Sequence, residues 1–233
     1  MDMNYRYLLL DMDMTLLDFK KSEKAAFAGV MESLGLKFTE YDYSRFSHTN
    51  DELWKRLEKG LINREQLLAC RFGIFSEDWG VDSPRLNEMF INNLAGRNDW
   101  LPGAEDFLKA LHGSGKYKVY IATNGPVFTV MGRINASGLE KYVDGIFISE
   151  KIGASKPSPK FFEYAFNEIC DHDVSNYLLV GDRLSSDILG ANNMGMDCVL
   201  FAHDGIFPEN TRGYKINYFA GSYKELQGLL EIP

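Results

Sequence analysis

Two carboxylates one residue apart, Asp11 and Asp13, follow the apolar run Tyr7 to Leu10, with Thr15 and Asp18 close behind. Anions placed so near each other repel, and they coexist only with a cation or a shared proton between them. A purely structural turn gains nothing from that arrangement, whereas Mg2+ binds carboxylates together with phosphate oxygens and water. Three further stretches put polar side chains beside predicted elements. They are Thr123-Asn124-Gly125 after Val119 to Ala122, Lys156-Pro157 ahead of a helical pattern, and Gly181-Asp182-Arg183 with Asp187 after Leu178 to Val180. Each alone has an ordinary explanation. Thr-Asn-Gly is a common tight turn, a lone lysine is usually solvated, and an aspartate after a strand is often a helix cap.

Together they hold the parts that phosphoryl transfer requires. A carboxylate can attack phosphorus to give an aspartyl-phosphate, which splits one difficult hydrolysis into two easier steps. A second carboxylate can protonate the leaving oxygen and then deprotonate the attacking water. A hydroxyl, backbone N–H groups and a lysine can neutralise the equatorial oxygens. Uncatalysed monoester hydrolysis is so slow that an enzyme must remove ~20 kcal/mol or more of barrier, beyond what any single group supplies. A cluster drawn from several parts of the chain is therefore the expected form of such a site.

Groups that distant in sequence have to be gathered by rigid elements. Leu8 to Leu10 have no polar face, as in a strand buried on both sides of a parallel sheet. Side chains alternate along a strand, so Asp11 and Asp13 project to one side for as long as extension lasts. A helical pattern runs from Ser22 to Leu36. From about Phe38 to Asn98 the sequence reads as successive helices, one capped by Asn50-Asp51 over Glu52 to Leu61, one by Asn63, and one opened by Ser83-Pro84. Trp54, Phe72 and Trp79 read as packing within this block. Beyond Leu101 the rhythm changes. Strands at Tyr117–Ala122, Gly145–Ser149, Tyr177–Val180 and Asp197–Phe201 alternate with helices at Ala104–Leu111, Val127–Ser137, Ser158–Cys170, Ser186–Met194 and Ser222–Leu230. Such alternation implies an α/β fold with a parallel sheet covered on both faces. Ligands of these sheets sit beyond the carboxyl ends of the strands, where the four polar stretches fall.

The 233-residue chain carries a formal net charge of −8, so it has no sequence-wide attraction to a nucleic acid polymer or to an anionic membrane. An anionic substrate has to be held by local features. Cys70, Cys170 and Cys198 are far apart and odd in number, as expected of thiols in a reducing compartment. The N-terminal apolar run is short, is broken by Asp11 and lacks a basic lead-in, so a cytoplasmic protein is expected. His48, His112, His172 and His203 show no metal-ligand spacing.

In their order along the chain, the four stretches resemble the four motifs of the haloacid dehalogenase superfamily of phosphatases. The resemblance covers essentially the whole chain, because the helical block after the first motif is similar to that superfamily's inserted cap. It implies a Rossmann-like catalytic core over residues 1–18 and 99–233 and a helical cap over residues 19–98, with Leu16 to Lys20 as the hinge. It implies Asp11 as nucleophile and Asp13 as general acid/base. Mg2+ would be held by Asp11, Asp182 and the backbone carbonyl of Asp13. Thr123 and Asn124 would bind phosphate, and Lys156 would pair with phosphate and Asp11. Thr15 and Asp187 would support them. Met14 departs from the acidic or small residue common at that position.

Within the superfamily, three stretches resemble a bacterial pyrimidine 5′-nucleotidase subgroup. They are Thr123-Asn124-Gly125, Phe147 to Gly153 with Lys156-Pro157, and Val180 to Asp182 with Ser186 to Ala191. That resemblance implies a small phosphorylated metabolite as substrate, a nucleoside 5′-monophosphate first. A phosphatase for phosphoglycolate or a phosphosugar is the alternative, and a phosphosugar mutase ranks below it. A dehalogenase needs neither Asp13 nor Asp182, and a non-catalytic scaffold would have lost Asp11, Asp13, Lys156 or Asp182.

Overall fold

The structure, a computed structural model, describes residues 5–233. The chain forms β1 (Tyr7–Leu10), then α1 (Phe19–Ser33), α2 (Glu40–Glu58), α3 (Arg64–Cys70), α4 (Gly73–Trp79) and α5 (Ser83–Ala95). It then alternates through α6 (Ala104–Ser114), β2 (Lys118–Thr123), α7 (Val127–Ser137), β3 (Gly145–Ile148), α8 (Ser149–Ile152), α9 (Pro159–Ile169) and β4 (Tyr177–Gly181). The last elements are α10 (Leu189–Met194), β5 (Asp197–Phe201), β6 (Tyr218–Ala220) and α11 (Tyr223–Leu230). Two compact units result. One comprises Met1–Phe19, Asp99–Val127 and Ser137–Pro233, and the other Lys20–Asn98 with Phe128–Ala136.

The first unit is built on a six-stranded sheet in the order β3-β2-β1-β4-β5-β6, and every pairing is parallel. Each residue of β1 and β4 is buried, as the unbroken apolar runs predict. Leu10 pairs with Ile121 on one side and Val180 on the other. The chain thus leaves β1 first toward β2 and later returns to its opposite edge as β4, which makes the carboxyl end of β1 a point where strand order reverses. Tyr7, Leu9, Phe161, Phe162, Phe166, Tyr177 and Leu179 share one core cluster with Cys198. Gly190 allows the close approach of α10, because a Cβ there would meet the Phe162 ring at 2.7 Å.

The helical unit packs around Phe27, whose ring lies 4.9 Å from Phe46, 5.7 Å from Phe75 and 5.9 Å from Trp79. Phe72 and Trp79 pack against Phe75 within this unit, as read from the sequence. Two local readings change. Asn50 caps nothing: α2 starts at Glu40, with Thr39 accepting from the Asp42 N–H, and Asn50 is a buried interior residue that donates to Glu23 at 2.8 Å. A buried carboxylate needing donors thus competes successfully with a capping role. Most of α7, which follows β2 like an ordinary crossover helix, clusters with the helical unit. Gly132 is the enabling residue, since a Cβ there would stand 2.6 Å from the Ala95 carbonyl oxygen. Asn63 and Gln66 do form the reciprocal cap that opens α3.

Candidate active site

Asp11 prolongs the ladder of β1 by one bond, its N–H donating to the Val180 carbonyl at 2.9 Å. Regular extension then stops. The amides of Leu16 and Leu17 both turn back to the Met12 carbonyl, and Met14 N–H donates to Leu17. Met14 takes φ 60°, a left-handed conformation that is uncommon for a side chain of its size. The turn therefore sets the position of Asp13, and strand alternation ends before reaching it. Tyr223 of α11 holds this loop from outside by donating its hydroxyl to the Thr15 carbonyl at 2.8 Å. The buried Thr15 hydroxyl has no hydrogen-bond partner among the described residues. No motif signals Tyr223, because the contact spans 208 positions and exists only once α11 is docked.

Lys156 gathers the other strands. Its ammonium donates to Asp11 Oδ1 at 2.6 Å, to the Ala122 carbonyl at 2.6 Å and to Asp187 Oδ1 at 2.7 Å, and the side chain is 1% exposed. All three ammonium protons thus have acceptors. Burial opposes its charge, but the Asp11 and Asp187 carboxylates overcome that and raise its pKa above the ordinary lysine value. Asp187 uses its second oxygen to accept from the Arg183 N–H at 3.1 Å. This is possible because position 181 is glycine: a Cβ there would lie 2.4 Å from the Asp187 carboxylate. Asp187 comes from a π-helical turn, Leu184–Ile188, that precedes α10. Such widened turns recur at functional sites.

Asp11, Asp182 and Asp187 each bring a carboxylate oxygen into one set lying within 4.8 Å of one another. Burial pushes the Asp11 carboxyl up to about 7 despite Lys156, with Asp187 and Asp13 raising it further. Burial, then Asp11 and Asp187, likewise raises Asp182 well above the usual carboxylate range. Asp182 Oδ1 is buried and accepts no hydrogen bond among the described residues. A concentration of negative charge with an unsatisfied buried oxygen is what a divalent cation would relieve.

The remaining predicted residues divide. Asn124 clasps the Lys156 backbone, while Thr123, 2% exposed at the end of β2, accepts at Oγ1 from the Gly125 N–H at 3.1 Å. The Asp13 side chain is outside the carboxylate set formed by Asp11, Asp182 and Asp187. Glu150, which follows β3, accepts from the Val127 N–H at 2.6 Å and so stabilises the start of α7.

A family model of haloacid dehalogenase-like hydrolases matches residues 5–195. This chain belongs to that family. Pyrimidine 5′-nucleotidase YjjG of Escherichia coli K12 is 35% identical to this hydrolase over 232 residues, covering 98% of this chain and 99% of that protein. Pyrimidine 5′-nucleotidase PynA of Streptococcus pneumoniae R6 is 32% identical over 231 residues, with 98% and 96% covered. The crystal structure of HAD-hydrolase YfnB of Bacillus subtilis, solved bound to magnesium, aligns with a TM-score of 0.89 at 28% identity, covering 98% of this chain and 100% of that one. Among the described residues no helix of this hydrolase is long and apolar enough to cross a membrane.

Proposed function

We propose that this hydrolase is a Mg2+-dependent 5′-nucleotidase that cleaves phosphate monoesters, nucleoside 5′-monophosphates foremost, through a phosphorylated Asp11. The observation that carries the reading is the cluster of the buried Asp11, Lys156 and Asp187 with the half-buried Asp182 at the carboxyl ends of β1 and β4. The two pyrimidine 5′-nucleotidases similar over nearly the whole chain support the substrate class.

An Asp11 oxygen attacks phosphorus, the phosphorus–alkoxide bond breaks, and Asp13 delivers a proton to the departing nucleoside oxygen. Asp13, now a carboxylate, takes a proton from water as that water attacks phosphorus and the bond between phosphorus and the Asp11 oxygen breaks. Inorganic phosphate leaves and Asp11 returns to its starting form. The Lys156 ammonium, already held by Asp11 and Asp187, neutralises charge on the transferring group, and the Thr123 hydroxyl hydrogen-bonds a phosphate oxygen. Asp11 and Asp182, with the Asp13 carbonyl, are the groups we assign to Mg2+. Asp182 Oδ1, buried and without a hydrogen-bond partner among the described residues, supports that assignment, while both Asp187 oxygens are engaged by Lys156 and Arg183. When bound, the ion withdraws charge from the phosphate and offsets its repulsion of Asp11. We assign substrate choice to residues 19–98 and the site of action to the cytoplasm.

The test is released phosphate across pyrimidine and purine 5′-monophosphates, phosphosugars and phosphoglycolate, with and without EDTA. Chelator-sensitive release with the highest kcat/KM on a nucleoside monophosphate is expected. A preference for phosphoglycolate or a phosphosugar would replace the nucleotidase reading, and no release from any monoester would end it.

A further inference from the structure

Lys156 belongs to no strand, because it lies in the connection between α8 and α9. Its backbone is nevertheless tied down at both polar groups. The Lys156 N–H donates to Asn124 Oδ1 at 3.0 Å, and the Lys156 carbonyl accepts from Asn124 Nδ2 at 2.9 Å. A carboxamide offers one acceptor and an NH2 in the plane of a peptide group. The Asn124 side chain therefore gives Lys156 the two bonds a neighbouring strand residue would provide.

The other end of Lys156 is gripped by the same strand terminus, since its ammonium donates to the carbonyl of Ala122. A lysine stem is flexible and carries ~2 kcal/mol of rotamer entropy, so where its ammonium rests depends on where its backbone is fixed. Both the acceptor and the donor group of the Asn124 side chain are engaged with Lys156. We propose that Asn124 is a positioning residue whose carboxamide holds the Lys156 backbone, and through it the Lys156 ammonium between Asp11 and Asp187. This rests on the reading that Lys156 serves phosphoryl transfer, and it gives Asn124 a task separate from contact with the phosphate.

The experiment compares Asn124→Ala, Asn124→Asp and Asn193→Ala with the parent protein. Asn193 donates to the carbonyl of Pro157, one residue on, and serves as the control. Acetylation of Lys156 in the substrate-free protein is followed by mass spectrometry, beside kcat and KM on p-nitrophenyl phosphate and thermal melting. In Asn124→Ala, Lys156 is expected to label roughly tenfold faster while other lysines keep their rates. Its kcat is expected to fall about 100-fold, the cost of a displacement near 1 Å. Asn124→Asp keeps the size of the side chain but sets an oxygen against the Lys156 carbonyl, so both effects recur if the alanine variant does not fold. Asn193→Ala should match the parent in both. Unchanged Lys156 labelling in a folded Asn124 variant overturns the proposal. A lost kcat with Lys156 still protected would mean that Asn124 acts on substrate directly. Labelling needs no substrate, so it decides the matter even if the phosphatase reading fails.

Discussion

Lys156 Nζ lies 2.6 Å from Asp11 Oδ1, across 145 positions of sequence. The pair is buried, with side-chain exposures of 1% and 12%. In such a pair each partner depends on the other, because removing one leaves an uncompensated charge out of water.

Lys156→Met is therefore expected to destabilise the protein by about 3–5 kcal/mol at pH 8. Asp11 and Asp187 lose their shared counter-charge in that variant. Lowering the pH lets the Asp11 carboxylate, whose pKa is raised to about 7 by burial, take up a proton, so the deficit should shrink toward pH 5. Urea unfolding at both pH values checks this, and an equal deficit at both would argue against charge as the cause.

Asp11→Asn should lower turnover by roughly 10⁴-fold or more, as expected for loss of a nucleophile. The circular dichroism spectrum should match that of the parent. Residual activity near the wild-type level would remove Asp11 from the nucleophile's role.

Asp13→Asn should allow Asp11 to be phosphorylated by an activated aryl phosphate while slowing release of inorganic phosphate by ~10²–10⁴-fold, the usual worth of a general acid/base. Rapid quench with labelled substrate reads the trapped phosphoprotein. Free turnover of that species would reassign the proton carrier.

Metal and pH should be linked through Asp11 and Asp182. The folded-state pKa of Asp11 is raised from 3.8 to about 7. The native chain therefore binds a proton more tightly than the unfolded chain between those values. By linkage, this group's contribution to stability falls as pH rises from about 4 to about 7 in chelator, and Asp182 acts in the same direction. Mg2+ should reverse the loss. Asp182→Asn removes one of the crowded charges, so at pH 8 in EDTA its Tm should exceed the parent's by about 2–4 °C per kcal/mol of relieved repulsion. It should also gain less from Mg2+. Scanning calorimetry with and without the ion measures both.

Gly181→Ala should be costly. Its Cβ would stand 2.4 Å from the Asp187 carboxylate, which must move and carry its bond to Lys156 with it. Overpacking of this kind costs ~1–3 kcal/mol. Chemical denaturation together with kcat should show both losses, and a neutral substitution would mean that Asp187 has room to shift.

Much of this site is legible in the linear chain because carboxylates behind apolar runs are chemically conspicuous. Asp11, Lys156, Asp182 and Asp187 are found from residue type and the strand before or helix after each. The buried strands β1 and β4 follow from Leu8 to Leu10 and Leu178 to Val180, whose residues have nowhere to turn but a covered sheet. The limits are equally specific. Asn50 has the composition of a cap, yet it is taken by the buried Glu23. Tyr223 is an unremarked aromatic until it reaches Thr15. Strand alternation is an insufficient guide to Asp13, because the turn at Met14 ends the strand first.

By itself the sequence determined the local character of this protein: which segments bury both faces, which are amphipathic helices, and which polar residues stand at their ends. Hydrophobic period and residue chemistry are local properties, so the chain displays them without being folded. Only the tertiary structure decided that β2 and β4 flank β1, which brings the end of β2, Lys156 and Asp187 to Asp11. Strand order depends on which long-range pairings bury the most surface with their backbone bonds satisfied, and the spacing of residues along the chain does not encode it.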